Sequence, residues 1–137
     1  MIEYDLIDYL KKDIILKNLI GATASDFKMY AVRAPQNTVV PFIVYDSVVG
    51  GLDETLDEDR IQLTIVGDII GSNGAKKKAT DIRDRLKTIL DLQDKIYIPS
   101  LNYKIYYSKL TSSDEIVDDN TDRFIEVMHF NIKYKTI

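Results

Sequence analysis

Cysteine is absent from the chain. That absence removes disulfide bridges, thiolate metal sites and cysteine nucleophiles together, and it suits a protein made and used in a reducing cytosol. Histidine occurs once, at His129, and a single imidazole without thiolates or a second histidine cannot make a standard zinc site. No apolar run approaches the ~18 residues needed to cross a bilayer. The first residues, Met1-Ile2-Glu3-Tyr4-Asp5, place acids where an export signal carries bases, so neither secretion nor membrane insertion is expected. A basic excess is lacking as well. The formal charge of -4 gives no global attraction for nucleic acid, and any DNA contact would need a local basic patch.

Internal repeats, low-complexity tracts and interdomain linkers are also missing, so residues 1–137 are expected to form one domain. What is present is an ordinary globular composition. With 45% hydrophobic and 29% charged residues, the chain can bury one modest core and does not belong with disordered or fibrous proteins.

Leu6, Ile7, Leu10, Ile14 and Ile15 recur at helical steps between Glu3 and Ile20, predicting a first helix that lays this face on a sheet. Acids lead it, lysines follow, and Gly21 suits a left-handed cap at its end. Phe27 to Arg33 reads as a strand stopped at Ala34-Pro35. Phe42 to Val49 reads as a central strand with Pro41 at its first position, ended by Gly50-Gly51. Arg60 to Val66 alternates, with Ile61, Leu63 and Ile65 on one face. After a glycine-rich turn in which Ser72 or Asn73 can act as cap, Ala75, Ala79, Ile82, Leu86 and Ile89 form the stripe of a second helix. Ile96 to Ile98 and Asn102 to Leu110 read as strands, and 111–121 as an exposed acidic hairpin loop. In the last strand Phe124, Met128, Phe130, Ile132 and Tyr134 share the core parity, while Arg123, His129, Asn131 and Lys133 share the wet one. The expected class is α+β: a mainly antiparallel sheet with two principal helices packed on one face.

No reaction centre emerges. The strand–glycine–helix passage from Gly67 resembles a phosphate loop, but Gly74 is followed by Ala75-Lys76-Lys77-Lys78 and not by lysine with Ser or Thr at the required distance. For His129 to work as a general base it would need an orienting carboxylate, and Glu126 lies on the opposite parity. The acids Asp53, Glu54, Asp57, Glu58 and Asp59 in one segment, and Asp114, Glu115, Asp118, Asp119 and Asp122 in another, lack calcium-loop spacing. Catalytic, cofactor and metal sites are therefore not expected. Lys76, Lys77 and Lys78 stand in the first turn of the second helix, where each cation opposes the helix dipole at a cost of roughly 0.3–1 kcal/mol. A local rule broken in this way marks an interaction surface. Together with Arg83, Arg85 and Lys87, these lysines are expected to meet an acidic segment of a neighbouring copy in a head-to-tail ring.

The order of elements, with Pro41-Phe42-Ile43-Val44-Tyr45, the strand Arg60 to Val66 and a helix carrying Ile82-Arg83-Asp84-Arg85-Leu86, resembles the tail-terminator, or tail-completion, family of long-tailed bacteriophages over residues 3 to 134. The acidic segment 111–121 is not matched within that likeness. The resemblance implies a structural virion protein without enzymatic activity, assembled in the host cytoplasm as a homo-hexameric ring at the tail or neck. Such a ring caps the tail tube, ends elongation and offers the head-side connector a joining surface. Its partners would be itself, the tube protein and the connector, with DNA passing through the lumen without specific binding. Carboxylates lining such a passage would repel phosphates. Another neck or tube-like component is the alternative, and a small nucleotide-dependent enzyme a more distant one.

Overall fold

A computed structural model describes residues 2–23, 25–48, 57–68, 74–91, 103–118 and 123–136. Its elements are helices α1 (Ile2–Leu10) and α2 (Ile14–Ile20), strands β1 (Met29–Ala31), β2 (Phe42–Val48) and β3 (Asp57–Asp68), helix α3 (Gly74–Leu90), and strands β4 (Tyr103–Asp118) and β5 (Arg123–Thr136). The expected α+β class is the one observed: a five-stranded sheet in the order β1-β2-β3-β5-β4, antiparallel except where β1 runs parallel to β2. Alternate residues of β2, β3 and β5, among them Ile43, Leu63 and Phe130, join Leu6, Leu16, Ile82 and Leu86 from all three helices in one buried cluster. The helices thus cover one sheet face. On the other, Val44, Gln62, Thr64, Val127 and His129 are only half-buried.

The single first helix expected over 3–20 is two. Asp13, extended at φ -78° and ψ 113°, interrupts it and caps α2, its carboxylate accepting from the Leu16 amide at 2.9 Å. Restarting the helix shifts its phase, so Leu16 and Ile20 are buried while Ile14 and Ile15, expected in the core, are exposed. Gly21 closes α2 at φ 70° as expected, its amide reaching the Asn18 carbonyl and the Ala22 amide that of Lys17. This is the paired-bond cap that a residue without a Cβ permits.

Boundaries of four strands, β1 to β4, differ from expectation. β1 is cut to 29–31, because the chain must turn back within 32–41 to start β2 alongside it. Pro41 lies just before β2, with the Val40–Pro41 peptide cis. The acidic segments are strand where they are described. β3 begins at Asp57, with Asp57, Glu58 and Asp59 opposite Tyr134, Lys133 and Ile132, and β4 runs through 111–118. A ladder with β5, bulged at Thr111, pairs the backbone there and outweighs the poor strand propensity of Asp and Ser. The expected strand at 96–98, the cap at 72–73, Gly50-Gly51, Asp53, Glu54 and Asp119 lie outside the described residues.

Candidate functional site

The described sequence-predicted residues fall at three places, the start of α3, the strand β4, and the start of β3 with Asp57, Glu58 and Asp59. Lys76, Lys77 and Lys78 are in the first turn of α3. Lys78 is exposed, and among the described residues it has no ion pair. Lys28, which sequence reasoning missed, lies close enough to feel it. Burial holds the Lys28 ammonium below its usual range, Asp26 pulls the other way, and the charge of Lys78 lowers it further. The basic start of α3 thus extends onto the segment before β1.

Asp114, Glu115 and Asp118 stand on β4, opposite Val127, Glu126 and Arg123 of β5. Arg83, expected to face a neighbouring copy, reaches inward to these strands. Its Nη1 lies 3.5 Å from Glu115 Oε1 and 3.7 Å from Glu126 Oε1, and its Nη2 is 3.2 Å from Asp84. Glu126 is 1% exposed on the core parity of β5. Its Oε1 accepts from the Ser113 hydroxyl at 2.7 Å, while Oε2 has no hydrogen-bond partner among the described residues. An acid in the register of Phe124, Met128 and Phe130 was the available signal, since buried carboxylates require a partner. Arg85 is also held within the molecule, donating from Nε and Nη2 to Asp13 at 2.9 and 2.6 Å. This fork holds the Asp13 carboxyl below its usual range against the opposing effect of burial, helped by the Leu16 amide.

On the helix-free face, His129 joins three strands. Its Nδ1 is 2.8 Å from Ser112 Oγ and its Nε2 3.0 Å from Gln62 Oε1, while the Gln62 amide donates to Thr64 Oγ1 at 3.2 Å. With the Gln62 oxygen facing the ring, Nε2 is the donor to it, and Nδ1 meets the Ser112 hydroxyl. A hydroxyl on an imidazole is half of a nucleophile–base pair. Here the far nitrogen meets a neutral amide, which supplies no charge to stabilise an imidazolium. The relay ties β4, β5 and β3 together. Among the described residues no group of three or more His, Asp or Glu is placed to hold a metal ion.

The same face carries a cleft of about 450 Å³ beneath the β1–β2 connection, lined by Val32, Arg33, Val44, Asp46, Gln62 and Arg123 among others. The connection is tight for parallel neighbours, which usually need a crossover of a dozen or more residues. Val32 absorbs the turn at φ 65°, with the Arg33 amide donating to the Ala31 carbonyl at 2.7 Å, and Asn37 takes φ 64°. A three-residue turn with positive φ is strained, more so at a β-branched residue. Its effect is to hold Val32, 70% exposed, and Arg33 at the cleft.

No protein-family model matches the chain, and no curated protein matches it. Among solved structures it is similar to a chain from the "Virion of native gene transfer agent (GTA) particle", with 14% sequence identity and a TM-score of 0.69 over 93% of this chain and 90% of that one. At that identity the likeness shows a shared fold.

Proposed function

We propose that the chain is a structural subunit of a phage-type virion, acting as the tail terminator: a ring that caps the tail tube, ends its elongation and presents a joining surface to the head-side connector. The observation that carries this reading is the fold shared, over nearly the full length of both chains, with a component of a gene transfer agent virion. The sequence resemblance to tail terminators narrows the role within such a particle. Subunits meet head to tail, with the basic start of α3 (Lys76, Lys77, Lys78) facing an acidic segment of the next copy, either Asp53 to Asp59 or Asp114 to Asp119. The ring is a hexamer without enzymatic activity. It sits at the neck, and its net charge of -4 lets DNA pass without adhering.

A tube-like or other neck subunit draws equal support from the shared fold, because the likeness is to a chain of the particle whose place within it is not specified. Negative-stain microscopy of the purified protein separates the two. Closed rings of uniform diameter are expected, and open-ended tubes would transfer the assignment to a tube subunit. A small nucleotide-dependent enzyme predicts instead a melting shift of several degrees with nucleotides or divalent ions.

A further inference from the structure

The helices cover one face of the sheet, and both the helix layer and the bare face expose apolar side chains. On the helix layer these are Ile14 and Ile15 at the start of α2, 70% and 52% exposed, turned away from the core that takes Leu16 and Ile20. Lys11, Lys12 and Lys17 frame the pair in sequence, and among the described residues none of the three is in an ion pair. The ammoniums of Lys11 and Lys17 rest instead 5.3 and 5.4 Å from the centre of the Phe27 ring. Of the acids in the same stretch, Asp13 is taken up by Arg85, which leaves the Asp8 carboxylate against three ammoniums. The patch is apolar with a basic frame.

On the bare face, Ile116 of β4, 49% exposed, stands in one register row with the half-buried Ile125 of β5 and Val66 of β3, and Val127 lies in the next row. Asp114 and Asp118 flank Ile116 at two-residue steps and so share its face. Arg123 lies opposite Asp118 and offsets its charge, whereas Asp114 has no partner among the described residues. The β1–β2 connection shelters the β2 side of this face and leaves the half over β5 and β4 open. The seven residues of α2 make a rod ~10 Å long, about the span of the three adjacent strands β3, β5 and β4 at ~4.8 Å spacing.

Within one copy the sheet itself stands between these two surfaces, so the chain cannot close the contact on itself, and a contact between them is heterologous. We infer that the start of α2 docks on the bare sheet face of a second copy of this chain, Ile14 and Ile15 against Ile116 and Ile125, with the framing lysines toward Asp114. The docked helix gives that face the apolar cover it lacks, and the opposed charges fix its position. This rests on the ring reading and adds a contact separate from that of α3, with Asp114 belonging to the neighbour's α2 and not to the α3 lysines.

The absence of cysteine makes a direct test clean. Full-length Ile15→Cys and Ile116→Cys chains, mixed in equal amounts and oxidised, are expected to give a covalent dimer in several-fold excess over either chain oxidised alone. Both substitutions in one chain are expected to give a ladder of covalent multimers. Without crosslinking, I14E/I15E is expected to weaken self-association in sedimentation velocity by about tenfold or more. Acids in the first turn of a helix suit its dipole, and thermal melts verify that the variant folds. Ile116→Ser, which changes no charge, reads the same contact from the other side, with weaker association again expected. Wild-type-like assembly of folded I14E/I15E and Ile116→Ser chains, or assembled cysteine chains that yield no mixed product, would overturn the inference and leave the ring standing. Preferential joining of Ile116→Cys to itself would overturn it too, in favour of a two-fold contact. A wild-type chain that stays monomeric at every concentration overturns both the inference and the ring.

Discussion

Asp13 is asked to do three things at once: break a helix, cap its continuation and hold Arg85 of α3. Losing a cap costs about 1 kcal/mol and a charge-assisted hydrogen bond about 1.5–3, so Asp13→Ala is expected to destabilise by about 2–4 kcal/mol in denaturant titration. Because its carboxyl is depressed in the folded state, the stabilisation is complete above the unfolded value near ~4 and is lost as pH falls through the folded value. Between pH 6 and pH 3, melts of Asp13→Asn should therefore lose less stability than wild type. Arg83 poses the complementary case. Removing it strands the buried Glu126 carboxylate beside Ser113 alone, and Arg83→Ala is expected to cost about 3 kcal/mol. Replacing both residues with leucine should cost less than that single change. An equal or larger loss in the double variant would show that the pair is not coupled.

At the level of elements, two turns of the N-terminal third use positive φ, at Gly21 and at Val32. Gly21→Ala meets no close atom, with only the Lys28 ammonium 4.0 Å from the new Cβ, so its cost is the left-handed backbone alone, about 1–2 kcal/mol. Val32→Gly runs the other way: relief of a similar strain, less the entropy of glycine, should raise stability by up to about 1 kcal/mol. A fall in melting temperature for Val32→Gly would mean that its side chain matters more than its backbone. These turns also mark where reading the sequence reached its limit. The core stripe of α3, the buried parity of β3 and β5 and the cap at Gly21 were all legible, since each follows from local spacing. The break at Asp13 was not, because the helical spacing from Leu10 to Ile14 runs across it, and its fork with Arg85, 72 positions away, forms only on folding. Nor was strand structure through 111–118, where pairing with β5 overrides composition. At the candidate interface, the sequence brought forward Lys78 and Asp114 by charge. It hid Lys28, Arg33 and Arg123, which become neighbours of other charges or of a cleft only after folding.

For the whole molecule, the proposed contact between opposed charges on separate surfaces makes assembly sensitive to ionic strength. Raising salt from 0.05 to 0.5 M shortens the screening length from over ~10 Å to under ~5 Å, so self-association should weaken on that titration, whereas a purely apolar contact would hold or tighten. The same net charge of -4 predicts no retardation of duplex DNA at about 0.15 M salt. Retardation under those conditions would contradict a passive passage.

One margin of the sheet is a three-residue strand and the other a sixteen-residue one. Such a subunit has a left and a right that cannot be exchanged. A circuit closed head to tail from copies of it turns clockwise seen from above and anticlockwise from below, so its two rims are chemically different and it can be mounted on a cylinder in one orientation only.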